Sequence, residues 1–234
     1  MTSAEPVIFV TGTDTDVGKT FVSSLLALKW HTNYWKPIQT GLESDPGDSQ
    51  TVSNFFAKQD AHEWHPAIFK PVVELQKPLC PLDAVKCDLT SSEVSLKDFV
   101  LPNDAVIDES VTPLIIEGAG GIFVPLNSKC EITSDLIKRI IELTDRPVYI
   151  VIVARSGLGT LNHTLLTHDH LKNNGLEKHF LGCILNGPKN SLNKETLELY
   201  DVKVIAEIPF LDEPSQLDSV LDFIPSLSDI INES

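Results

Sequence analysis

The residues with the most chemical promise lie between an apolar run and a lysine. Residues 7–20 read Val-Ile-Phe-Val-Thr-Gly-Thr-Asp-Thr-Asp-Val-Gly-Lys-Thr. A β-branched and aromatic stretch ends in a Gly/Thr/Asp turn, and Gly18-Lys19-Thr20 then opens a segment of helical periodicity. Strand, loop and helix in this order make a phosphate-binding loop, whose backbone N–H groups and helix N-terminus wrap an oligophosphate. Lys19 is placed to reach the terminal phosphates, and the Thr20 hydroxyl to ligate Mg²⁺. The spacing departs from the usual pattern: five residues separate Gly12 from Gly18, so Thr13 stands where the first glycine normally sits. A tight turn before a helix accounts for the glycines, but not for the Lys-Thr pair.

Other polar residues fall at the ends of apolar runs. Glu117 closes such a run and faces Gly118-Ala119-Gly120-Gly121. An acidic residue there holds Mg²⁺ in phosphate-loop enzymes, and a metal is one way to satisfy a buried carboxylate. The alternative is a carboxylate that caps the turn. Asp45 and Asp48 lie in a polar loop, and spacing does not choose which would complete the magnesium shell; a solvated carboxylate capping the following helix is the competing reading. Lys36, between Tyr34-Trp35 and Pro37, adds a second cation suited to stabilising a phosphoryl group in transfer. Asn186, before Gly187-Pro188, offers an amide that both donates to and accepts from a purine edge. An Asn-Gly turn is the competing reading. Residues 155–160, Arg-Ser-Gly-Leu-Gly-Thr, precede a helix and present N–H groups to a carboxylate. His168 and His170 sit two apart on a helix and point to different faces, against the four-residue spacing of a metal pair.

The elements that position these groups alternate. A helix is expected to about Trp30 and a strand over 33–38. A helix follows from Asp48 to about Lys58. Residues 59–112 are irregular, broken by prolines, with a short helix near 94–100. Strands over 113–117, 147–154, 180–185 and 202–208 alternate with helices over 132–143, 161–173 and 192–200, and a last helix starts near Ser215. Alternation of this kind gives an α/β fold, a doubly wound parallel sheet of the P-loop NTPase kind with helices on both faces. Its ligands bind beyond the carboxyl ends of the strands, where the polar clusters fall. Residues 1–234 read as one domain.

Composition narrows the function. The formal charge of −15 argues against a general nucleic-acid or anionic-membrane binder. Four cysteines lie scattered, without a C-x-x-C pair, which fits reduced thiols rather than disulfides or zinc. Six residues precede the first strand and carry no signal-peptide pattern, and no apolar run is long enough to span a membrane. The expectation is a cytoplasmic enzyme.

Four segments in register carry a resemblance. Gly-Thr-Asp-Thr-Asp-Val-Gly-Lys-Thr (12–20), Lys-Pro-Ile-Gln-Thr-Gly (36–41), Glu-Gly-Ala-Gly-Gly (117–121) and Gly-Leu-Gly-Thr-Leu-Asn-His (157–163) resemble dethiobiotin synthetase over nearly the whole chain, least across 59–112 and after 214. The resemblance implies an ATP- and Mg²⁺-dependent enzyme of biotin biosynthesis that closes the ureido ring of dethiobiotin from 7,8-diaminopelargonic acid and CO₂. It implies catalytic roles for Lys19, Lys36 and Thr15. ATP would be bound by Asp16, Val17, Gly18, Lys19, Thr20, Asp48, Glu117, Gly118, Ala119, Gly120, Asn186 and Gly187. Ile208, Pro209, Phe210 and Glu213 would close over the nucleotide. Thr20, Asp48 and Glu117 would hold the metal. Thr40 would touch the substrate, and Gly157, Leu158, Gly159 and Asn162 would take its carboxylate across a homodimer interface. One departure stands out: the family's Ser-Pro-His-x-Ala segment reads Cys80-Pro-Leu-Asp-Ala84 here.

Two rivals share the fold. A cobyrinate-type amidase needs a glutaminase domain with an activated cysteine, for which the chain is short. An ATP-switched partitioning or positioning ATPase carries a second lysine early in the loop, where this chain has Asp14.

Overall fold

The computed structural model describes residues 4–59, 62–88, 92–102, 112–210 and 217–232. Within them a seven-stranded sheet runs through β1 (Val7–Gly12), β2 (Asn33–Trp35), β4 (Ile68–Phe69), β6 (Leu114–Gly121), β7 (Val148–Arg155), β8 (Phe180–Asn186) and β9 (Val204–Ile208). The spatial order is β4-β2-β6-β1-β7-β8-β9, and the paired strands are parallel. Both faces of the central strands are covered, which is why these strands read as continuous apolar runs rather than alternating ones.

The pleat splits each run between two cores. Phe9, Ile116, Ile150 and Ile152 face one, with Leu136, Ile137 and Ile140 of α4 (Thr133–Glu142), Leu171 of α5 (Thr160–Asn173) and Leu197 of α6 (Ser191–Leu199). Ile8, Val10, Ile115, Val151 and Val153 face the other, against α1 (Lys19–Trp30), α2 (Asp48–Phe56), α7 (Leu217–Leu221) and α8 (Leu227–Asn232). The phosphate-loop strand β1 therefore sits mid-sheet, flanked by β6 and β7, and its carboxyl end opens where ligands bind in such sheets.

The alternation expected from the sequence is present, with four corrections. The strand expected over 33–38 is broken: β2 ends at Trp35, and β3 (Ile38–Gln39) pairs with β5 (Val73–Glu74) in a separate two-stranded sheet. Pro37 has no N–H for a ladder, and its carbonyl instead accepts from Val72 and Val73. The run expected to stop at Glu117 continues through the glycines, so β6 extends to Gly121, with Gly12 paired to Gly121. In the proline-rich stretch, an unforeseen helix α3 (Pro81–Cys87) starts on Pro81, which tolerates the first helical turn. The helix expected near 94–100 is a single 3₁₀ turn, Leu96–Asp98. The start of the last helix, placed near Ser215, lies outside the described residues, and α7 and α8 follow it.

Candidate active site

The loop after β1 is pinned at both ends. Thr13 N–H donates to the Val153 carbonyl at 3.0 Å, and Val22 N–H to the Gly18 carbonyl at 2.9 Å as α1 begins. Gly18 has φ +91°, and a Cβ there would lie 2.0 Å from Asn186 Nδ2, so neither conformation nor space admits a side chain. Lys19 folds back so that Nζ donates to the Asp14 carbonyl at 2.9 Å. Asp14 is held in turn by Arg155, whose Nη2 lies 2.9 Å from Asp14 Oδ2. Burial first, then the neighbouring charge of Lys36, lowers the Lys19 pKa to about 8.

Beneath the loop four polar groups converge from four parts of the chain. Thr20 Oγ1 lies 2.7 Å from Asp48 Oδ1 and 2.9 Å from Glu117 Oε1. Lys36 Nζ lies 2.7 Å from Asp48 Oδ2 and 3.0 Å from Glu117 Oε1, and donates to the Gly118 carbonyl at 3.1 Å. Glu117 is wholly buried and Lys36 nearly so. Burial alone would lower the Lys36 pKa, but Glu117 and Asp48 outweigh it and hold the ammonium above the usual lysine range. Burial pushes Asp48 up, and Lys36 outweighs it, so this carboxyl sits below its usual range.

Asp45 and Asp48 both line the cleft, but they are held differently. Asp48 opens α2 and joins the cluster, while Asp45 Oδ1 accepts from Gly47 N–H at 2.8 Å and shapes the preceding turn. The donor set suits a hard cation. A hydroxyl has one proton, so Thr20 cannot donate to both carboxylates at once, and one of its two short contacts is oxygen against oxygen. Three hard oxygens drawn together in this way fit Mg²⁺, which takes few protein ligands and completes its shell with phosphate and water.

A cleft of about 720 Å³ extends from this cluster. Thr15, Asp16, Gly18, Lys19, Thr20, Lys36, Thr40, Asp48, Glu117, Ala119 and Gly120 all line it, as the sequence placed them. Its far wall is Pro78-Leu79-Cys80-Pro81, leading into α3. Cys80 stands at the N-terminal boundary of that helix, and its thiol donates to Asp83 Oδ2 at 3.4 Å rather than capping the backbone.

Asn186 ends β8 beside the loop. Its Nδ2 donates to the Val17 carbonyl at 3.0 Å, while Oδ1 is buried without a partner. A buried acceptor left open beside the loop can take a hydrogen bond from a ligand donor. Gly187 N–H donates to the Ile208 carbonyl at 2.8 Å, and the exposed ring of Phe210 reaches within 3.4 Å of where a Gly187 side chain would begin. Pro209 lies between them, and Glu213 lies outside the described residues. Gly157, Leu158, Gly159 and Asn162 are not brought to this cleft: Leu158 is fully exposed, and nothing lies within 4 Å of a Cβ built at Gly157 or Gly159. The two helical histidines do part company, His168 packing on Phe180 at 4.6 Å between ring centroids and His170 on Phe123 at 5.0 Å.

Three contributors were not singled out from sequence. Tyr34 donates its hydroxyl to Glu117 Oε2 at 2.9 Å. It lies two residues before Lys36 and so on the same side of an extended chain, a spacing that could have marked it. Gln39 Oε1 accepts from Asp48 N–H at 2.8 Å and fixes the start of α2. Arg155 was read as part of a carboxylate loop, whereas its guanidinium serves Asp14.

Known proteins were compared with this chain. Residues 7–216 match the family described as AAA domain. The ATP-dependent dethiobiotin synthetase BioD of Paramagnetospirillum magneticum is 42% identical over 202 residues, covering 86% of each chain. That of Christiangramia forsetii is 34% identical over 209 residues, covering 88% of this chain and 89% of the relative. The biotin biosynthesis bifunctional protein BioCD of Bordetella avium is 38% identical over 97% of this chain, which spans 45% of that longer protein. Among solved structures, a ParA family ATPase from Chlorobium tepidum aligns over 99% of this chain and 93% of its own with a TM-score of 0.51. At 12% identity that likeness is one of fold.

Proposed function

This chain belongs to the ATP-dependent dethiobiotin synthetase family, and from that premise we propose how its residues carry out the reaction. The activity is a carbon–nitrogen ligation: 7,8-diaminopelargonate, CO₂ and ATP give dethiobiotin, ADP and phosphate. The observation that carries the residue assignment is the convergence of Thr20, Lys36, Asp48 and Glu117 at the floor of one cleft.

One amine of the substrate takes up CO₂ as a carbamate. A carbamate oxygen attacks the γ-phosphorus of ATP, and the bond to the bridging oxygen of ADP breaks, leaving a mixed carbamic–phosphoric anhydride. The second amine attacks the carbamate carbon, phosphate departs and the ring closes. Nucleophile and electrophile both come from the substrates, so the protein supplies position and charge. Lys19 leaves the Asp14 carbonyl for the β- and γ-phosphates, and Lys36 balances the charge shared by carbamate and phosphoryl group. Thr15 and Asp16, with the N–H groups of Val17 and Gly18, line the phosphate path. Thr20, Asp48 and Glu117 would hold Mg²⁺, which neutralises phosphate charge when bound. Asn186 offers Oδ1 to the adenine amino group, with Gly187, Ile208, Pro209 and Phe210 closing the base site. Ala119 and Gly120 line the cleft, Gly118 gives its carbonyl to Lys36, and Thr40 contacts the diamine.

The substrate carboxylate goes to residues 157–162 of a second copy of the chain. Leu158 is fully exposed on that loop, and Leu166 of α5 and Phe123 beside His170 are each more than half exposed. Leu166 and His170 are four apart on one helix face and Phe123 packs on His170, so Leu166 and Phe123 share a patch that a homodimer would cover. The working protein would then be a cytoplasmic homodimer in which residues 1–234 act as one catalytic unit. Nucleic acid and membrane are not partners in this reading, and among the described residues no helix is long and apolar enough to cross a membrane.

The deciding assay follows ADP release with diaminopelargonate and bicarbonate, each omitted in turn. ADP release that requires both supports the reading; release indifferent to the diamine favours a partitioning-type ATPase instead.

A further inference from the structure

Glu117 has two carboxylate oxygens, and they are treated differently. Oε1 faces Thr20 and Lys36 at 2.9 and 3.0 Å, toward the phosphate loop. Oε2 accepts from the Tyr34 hydroxyl at 2.9 Å, on the side away from the loop. Tyr34 is wholly buried, packed in the apolar core that includes Ile8, Leu25, Leu26 and Ile115. Its backbone pairs with Ile115, two residues before Glu117 on the neighbouring strand, so sheet register sets the reach of the phenol.

A phenylalanine would satisfy that apolar core equally well, so the core does not explain the hydroxyl. Among the described residues the hydroxyl has one polar partner, and that partner is the carboxylate at the floor of the cleft. The phenol has one proton to donate, and the carboxylate oxygen opposite it accepts. With Oε2 engaged, the carboxylate cannot rotate to offer both oxygens to a cation, and Oε1 alone is presented.

We propose that Tyr34 is a positioning residue for the metal site: its hydroxyl pins Glu117 so that Oε1 faces the phosphate loop as a single, pre-aimed ligand. The proposal rests on the reading that Thr20, Asp48 and Glu117 hold the divalent ion. Groups behind a metal ligand that fix its orientation typically change metal affinity by about 10- to 100-fold when removed. Tyr34→Phe therefore weakens divalent-ion binding while sparing the metal-free nucleotide site, which is built from the loop backbone and Asn186.

The test uses Mn²⁺ as probe. Electron paramagnetic resonance of free Mn²⁺ gives its affinity for the full chain in the presence of ADP, and calorimetry in EDTA gives ADP affinity alone. For Tyr34→Phe the expected result is Mn²⁺ affinity reduced by about tenfold or more, with metal-free ADP affinity within about twofold. In a Glu117→Gln background, adding Tyr34→Phe is expected to change Mn²⁺ affinity no further, because the group it acts through is gone. Unchanged Mn²⁺ affinity in Tyr34→Phe, with only a lower unfolding midpoint, overturns the proposal and leaves a merely structural hydrogen bond. Unchanged Mn²⁺ affinity in Glu117→Gln alone overturns the metal reading beneath it, so the two failures are distinguishable.

Discussion

Lys36 Nζ and Glu117 Oε1 stand 3.0 Å apart with side chains 4% and 0% exposed, an ion pair shut off from water at the base of a ligand cleft. The lysine ammonium pairs with two carboxylates, Glu117 and Asp48, and balances part of their charge. Lys36→Met leaves Glu117 and Asp48 without their cation, and breaking a buried pair costs about 3–5 kcal/mol. The variant is expected to lose turnover by at least about 10²-fold and to unfold at lower temperature in EDTA. Mg²⁺ should restore more of the unfolding midpoint in the variant than it adds to the wild type. A variant midpoint indifferent to Mg²⁺, read by calorimetry, would count against this pair of carboxylates as a cation site.

Asn186 and Gly18 test the base site from two directions. Asn186→Ala removes the open acceptor Oδ1 and the bond to the Val17 carbonyl. It is expected to raise the KM for ATP about tenfold, the size of one or two hydrogen bonds, with the KM for the diamine unchanged. Gly18→Ala sets a methyl 2.0 Å from Asn186 Nδ2 at φ +91°, and is expected to abolish nucleotide binding more completely than Asn186→Ala. Equal KM values for ATP in wild type and Asn186→Ala would remove the asparagine from nucleotide recognition.

Subunit pairing is addressed by Leu158→Asp. A charge on the exposed apolar tip of the loop between β7 and α5 is expected to convert a dimer into a monomer in sedimentation equilibrium. Affinity for the diamine should fall with it, while ADP still binds to each separated chain. Wild-type protein that sediments as a monomer at micromolar concentration would dispose of the shared site.

Acid sensitivity should trace in part to α5. Burial, and then Lys172, lowers the His168 pKa below 6.5; burial, and then Lys138, does the same for His170. An unfolded chain binds protons at these residues more readily than the folded one, so protonation favours unfolding. Their contribution to stability is complete above pH 6.5 and is lost as pH falls toward the folded-state values. The unfolding midpoint should decline from about pH 7 to about pH 5, and His168→Gln should flatten that decline. A slope identical in wild type and variant would exclude His168 as a source.

The parts of the fold that were legible in the sequence are those where one local rule decides. Apolar runs such as 148–154 could only be strands buried on both faces, and Gly18-Lys19-Thr20 announced the loop before α1. Legibility failed where tertiary context decides. Residues 33–38 have strand composition throughout, yet the proline at 37 diverts the chain into a second sheet whose partner, Val73–Glu74, lies far along the sequence. The glycines after Glu117 read as a turn, and they remain in the sheet because β1 supplies Gly12 opposite Gly121. For the site, Lys36 and Glu117 were visible as charged residues ending apolar runs. Their pairing was not, because 81 positions separate them and only strand order brings them together. Tyr34 passed as an ordinary aromatic of a strand core, since nothing in its type reveals which way a hydroxyl is spent.

The break at Pro37 has a consequence for how this protein can change. The phosphate loop, Glu117 and Asn186 belong to the seven-stranded sheet, while Gln39, Thr40 and the turn from Pro78 to Pro81 are hung on the small β3–β5 ladder and its hydrogen bonds to residues 41–43. In the proposed reading the nucleotide rests on the large sheet and the diamine end of the substrate on the small ladder, and the two meet at Lys36. On that reading, substitutions along 72–82 would retailor the diamine end of the cleft while the nucleotide end keeps its frame, which makes the β3–β5 ladder the place to begin when redesigning this enzyme for a diamine of different length.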